Sequence, residues 1–204
     1  MSGVAVWLAE LCRAEVVVMN SPLQDRFRWR VALMLPKLRR SIDWLAASAG
    51  DLWQLHAGRP DLLLADAQAF LLADGIFHEP RLNQLGQRSL VAALKAQGSN
   101  GAFQRGGDPP TACQARALLS LLEITIYFPA PSLEDAAARG AASLERRVQR
   151  DKDARRGQGY GSAAEPSPRV AARDAVLALE YQALFSGSAR NLKTVARLAD
   201  RLTR

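Results

Sequence analysis

Apolar residues recur every three or four positions along most of the chain, the spacing of helices with one face turned inward. Residues 3–19 carry Val4, Leu8, Leu11 and Cys12 on one side, although the β-branched run at residues 16–18 also fits a short strand. Ser21 followed by Pro22 predicts a helix start, with serine as the cap and proline at the first helical position. The stripe Leu23, Phe27, Val31, Met34 and Leu38 continues at helical spacing. Pro36 lies inside that stripe, which predicts a kink or restart before the helix runs on to about residue 49 and stops at Gly50.

Residues 51–57 read as a short helical turn. A further helix opens near Pro60 and stops at Gly75, and another follows with Leu82, Leu85, Leu90, Val91 and Leu94 inward and Gly98 as its stop. Residues 98–110 read as a flexible loop. A fifth helix spans 111–122 and ends in Glu-Ile-Thr-Ile-Tyr-Phe, which suits either a strand or a buried helix. Pro129 and Pro131 break it, and Ser132 opens a sixth helix through a loose Ser-Leu-Glu-Asp capping box.

That sixth helix predicts a long basic rod over 132–156, losing its apolar face after Leu144 and Val148. A Gly, Ser and Pro linker over 157–168 follows, then a helical hairpin over 169–204 closed around residues 186–188. The fold class is therefore all-α: an irregular multi-helix bundle over 1–131 with the basic helix, linker and C-terminal hairpin attached. The last segment, with its Thr-Val-Ala-Arg-Leu-Ala run, resembles the first helix of a helix-turn-helix in sequence only. The turn and recognition helix are missing, so it reads as a packing or dimerisation helix.

Composition changes this picture mainly through charge. The 204 residues carry a net charge of +7, which favours anionic partners. Only Lys37, Lys95, Lys152 and Lys193 of the 27 cations are lysines, an arginine bias that a GC-rich coding sequence would also give. The two cysteines, Cys12 and Cys113, make a disulfide scaffold implausible. The N-terminal apolar stretch is interrupted by Glu10, Arg13 and Glu15 and does not fit a secretory signal, so a bacterial-type cytoplasmic protein with no membrane partner is expected.

Little in the chain points to catalysis. His56 and His78 are the only histidines, and neither has a second His or Cys at a metal-ligand spacing. No nucleophile elbow, P-loop or dinucleotide fingerprint is present, and Asp61 and Asp66 read as solvated helix surface. A non-enzymatic protein without cofactor or metal is the expectation.

Two basic regions stand out. On a continuous helix Arg26, Arg30, Lys37 and Arg40 form one stripe opposite the apolar one, with Trp29 beside it for stacking. Residues 51–80, rich in Asp and Glu, offer a competing role for that stripe as an internal salt-bridge partner. The second region is Arg146, Arg147, Arg150, Lys152, Arg155 and Arg156, which Glu145, Asp151 and Asp153 reduce to a net +3. Such mixed charge fits a solvated helix held by pairs like Arg147 with Asp151, and it also fits an arm that folds on RNA or DNA. The leading expectation is a helical protein, or a subunit of a nucleoprotein complex, binding DNA or RNA through these residues. The alternative is an adaptor, assembly factor or chaperone that docks a protein partner or a second copy through its leucine-rich helices.

Overall fold

The computed structural model describes residues 2–103, 111–154, 168–186 and 196. Among these the chain is all-α, with eight helices and no strand. The predicted linker over 157–168 lies outside the described residues except for Pro168, which is helical, and the second hairpin helix over 190–202 lies outside them except for residue 196. The chain divides into two compact units, Met1–Ala93 and Leu94–Arg204.

In the first unit α1 (Ser2–Met19) is helical throughout, so the β-branched run extends the helix instead of forming a strand. Helix α2 (Gln24–Ala47) starts two residues later than the Ser21-Pro22 signal indicates. Ser21 is drawn into the turn after α1, where its N–H and Oγ both donate to the Val18 carbonyl. Its Oγ accepts from the Leu23 N–H, and helical bonding then begins with the Phe27 N–H on the Leu23 carbonyl. Pro36 does not end α2; the helix passes through it and stops at Ala47. Gly50 is not a stop either, because α3 (Ala49–Leu55) includes it.

Helix α4 (Pro60–Phe77) is the core of this unit, packed mainly on α1. Every residue from Pro60 to Ala73 is buried, as expected of a helix that is apolar on all sides. It runs through Gly75 and ends where His78 adopts a left-handed conformation with φ 52°, two residues before Pro80. In α5 (Pro80–Lys95) the inward face is Leu82, Gly86, Ser89, Leu90 and Ala93, while Val91 is exposed. Gly86 permits a close helix crossing, because a Cβ there would lie 2.7 Å from Leu71 Cγ.

The second unit opens with a loop that is pinned where it is described. Ala102 and Phe103 are buried, and buried Gln114 of α6 (Thr111–Tyr127) holds both flanks. Its Oε1 accepts from the Phe103 N–H at 2.9 Å, and its Nε2 donates to the carbonyls of Gly101 and Gly140 at 3.2 and 3.0 Å. The Glu-Ile-Thr-Ile run is helical, with Glu123, Ile124 and Thr125 buried and Ile126 exposed, and Thr125 Oγ1 bonds back to the Leu121 carbonyl.

Helix α7 (Pro131–Ala154) begins at Pro131, which takes the first helical position. The Ala130 carbonyl accepts the first bonds, from the N–H groups of Leu133 and Glu134, so Ser132 lies inside the helix and is not its cap. Leu133, Ala136, Ala137, Gly140, Ala141, Leu144 and Val148 form its inner face. Both α7 and α8 (Pro168–Ser186) pack on α6.

Candidate nucleic-acid interface

The stripe on α2 is present and exposed. Arg26, Arg30, Lys37 and Arg40 all face solvent on the side opposite Leu38, Ile42 and Leu45, which are buried. With Arg28 they make five exposed cations that form no ion pair or hydrogen bond among the described residues. Arg39 is different, pairing with Asp43 at 2.9 Å and with Glu79 at 2.8 Å.

The acidic segment does not neutralise the stripe. Asp61 takes both bonds from Arg59 at 3.1 Å, Asp66 pairs with His56, and Asp74 accepts from the Asn83 side-chain amide at 3.0 Å. Only Glu79 reaches α2, and it does so through Arg39 on another side of the helix. The stripe therefore leaves an uncompensated positive face. It also stands partly against the helix dipole, since Arg26 and Arg28 occupy the electropositive N-terminal turns where cations are disfavoured.

Trp29 is exposed, with the Arg30 guanidinium 5.1 Å from its ring centre. Arg26 and Arg30 both lie against Phe27, at 5.9 and 5.6 Å. Two further residues share this face that the sequence reading left out. Because α2 continues through Pro36, Leu33 and Trp44 fall in phase with the cations at steps of three and four residues. Both are exposed, Leu33 at 63% and Trp44 at 46%, beside Trp29 at 60%. The same helical phase that aligns the cations was the signal in sequence that could have found them.

The second basic region is arranged differently. Arg146 donates to the backbone carbonyl of Asn100, and Arg147 is half-buried with a partner of its own. Arg139 donates to Gln97 Oε1 at 3.2 Å. Arg150 and Lys152 fall on the last turns of α7 with their side chains outside the described residues, as is the Asp151 side chain expected to pair with Arg147. Arg155 and Arg156 lie wholly outside.

Asp61 and Asp66 are not solvated surface, since they are 5% and 1% exposed. Asp66 Oδ2 lies 2.7 Å from His56 Nδ1, and both groups are buried. The other atoms of the pair, His56 Nε2 and Asp66 Oδ1, are buried without a hydrogen-bond partner among the described residues. Burial pushes the Asp66 carboxyl above its ordinary range, and the hydrogen bond and charge of His56 oppose that rise. The signal available in sequence was the all-round apolar run of α4, which leaves a carboxylate at position 66 no solvent face. Burial also pushes the Cys12 thiol up to about 12, so it stays protonated at neutral pH. No group of three or more His, Cys, Asp or Glu among the described residues is placed to hold a metal. No described helix is long and apolar enough to cross a membrane.

No known protein family, curated protein or solved structure matches the chain.

Proposed function

We propose that this chain binds nucleic acid, alone or as a helical subunit of a nucleoprotein complex, through phosphate contacts made by the outer face of α2. One observation carries the reading: Arg26, Arg30, Lys37 and Arg40 are exposed with no ion pair or hydrogen bond among the described residues, while the nearby carboxylates of residues 61–79 have other partners. Polyanions release condensed counterions when such a face binds, so affinity tracks salt. If the four stripe cations each neutralise one phosphate of a single strand, log affinity falls against log salt with a slope of about −3. Fluorescence anisotropy of a labelled oligonucleotide over a sodium chloride series measures that slope. Reversing Arg26, Arg30, Lys37 and Arg40 to Glu should remove the binding. A salt-independent affinity, or an unchanged one in that variant, defeats the reading.

A second reading has its own observation. Val6, Trp7 and Val17 on α1 are exposed apolar side chains and would suit a protein partner or a second copy of the chain. Light scattering of the purified chain, with Trp7→Glu as the control, tests it.

A further inference from the structure

We infer that the polyanion received by α2 is a single strand, with its bases stacked on Trp29 and Trp44; this rests on the nucleic-acid reading above. Cations and indoles on this face are interleaved along one line. From Arg26 the face runs through Trp29, Arg30, Leu33, Lys37 and Arg40 to Trp44, about 27 Å of helix at 1.5 Å per residue. A track for phosphates alone needs no indoles, and exposing three large apolar side chains to water is unfavourable. Their natural complement is a ligand that offers planar apolar surfaces and anionic groups in alternation.

Three polyanions differ on this point. A duplex keeps its base faces inside the stack and offers only edges and phosphates, so it leaves both indoles without a partner. A lipid surface takes up a helix by burying a dedicated apolar face, and that face of α2, with Leu38, Ile42 and Leu45, is already committed to the core. A single strand presents phosphates and unstacked base faces together, and stacking on aromatic side chains is tolerant of sequence. Trp29 and Trp44 are about 22 Å apart along the axis, which suits a site of several nucleotides, within the range of about 4–16 seen for single-strand-binding domains. Arg30, against the Trp29 ring, is placed to hold the phosphate next to a base stacked there.

The experiment uses the full chain and three labelled probes of equal length: a 12-nucleotide single strand, its duplex, which carries twice the phosphates, and an abasic strand with the same phosphates as the single strand. Single-strand binding at least tenfold tighter than binding to either other probe is expected. Trp29→Ala with Trp44→Ala should lose at least tenfold on the single strand, and Phe at both positions should restore most of it. The abasic probe tests stacking on the unmodified chain, so the outcome does not depend on how the variants fold. Equal affinity for the duplex or the abasic strand overturns the inference and leaves the nucleic-acid reading standing, as does an alanine variant that binds like the unaltered chain. Binding to phosphatidylserine vesicles with none to any nucleic-acid probe overturns both.

Discussion

The outer face of α2 and the basic stretch of α7 look alike as strings of arginine, and the fold uses them in opposite ways. On α2 four cations, Arg26, Arg30, Lys37 and Arg40, share one side of a helix that buries Leu38, Ile42 and Leu45 elsewhere on its surface, and none of the four has an ion pair among the described residues. On α7 the described arginines serve the chain itself. Arg146 ties the helix to the Asn100 carbonyl, Arg139 bonds Gln97, and Arg147 has a partner. Cation count therefore says little about binding. What matters is whether carboxylates or carbonyls of the same unit have already engaged the charge.

The largest effect tests the structural side of that contrast. Gly101 sits at φ +83°, and a Cβ there would lie 2.0 Å from the Arg139 carbonyl oxygen. Its own carbonyl accepts from Gln114 and Gln97. Gly101→Ala adds left-handed strain to a backbone clash and should cost about 3 kcal/mol in urea denaturation. A loss below about 1 kcal/mol would show that the loop moves aside freely, and the structural role assigned to the α7 arginines would weaken with it.

The next effect concerns the buried carboxylate of the α2 unit. Burial raises Asp66, so the folded chain keeps a proton on it more readily than the unfolded chain. The stability this gives is complete below the ordinary value of 3.8 and is lost as pH rises through the raised one. Asp66→Asn keeps an acceptor for His56 and cannot ionise. Relative to the unaltered chain it should therefore gain stability as pH is raised above about 4, read from thermal melts. A constant difference across that range would mean that His56 fully compensates the buried charge.

How far this was legible in sequence differs between elements. The bodies of α1, α4, α5, α6 and α8 follow from periodicity and from the proline and glycine positions. Their ends do not, because backbone carbonyls at Leu23 and Ala130 took over the roles expected of Ser21 and Ser132. The stripe on α2 was legible on a continuous helix, yet Leu33 and Trp44, which share its phase, were left out because apolar residues were expected on the inner face. Proline removes one N–H bond and crowds the preceding turn, and here the helix continues regardless. The His56–Asp66 pair was not legible, since the two residues meet across a turn that spacing alone does not define.

The smallest effects distinguish the two basic regions most directly, because they differ in sign. Arg146→Ala removes the bond to the Asn100 carbonyl and should lower stability by about 1 kcal/mol, with oligonucleotide affinity within twofold of the unaltered chain. Arg26→Glu does the reverse. Arg26 lies in the first turn of α2, where the helix dipole disfavours a cation and favours a carboxylate. No ion pair is lost when it is replaced, only its contact with the Phe27 ring, so stability should rise by about 0.5 kcal/mol while affinity falls. A cation kept where it weakens its own helix and strengthens a complex is there for the ligand. If Arg26→Glu lost stability as Arg146→Ala does, the α2 arginines would be structural after all, and the contrast between the two helices would collapse.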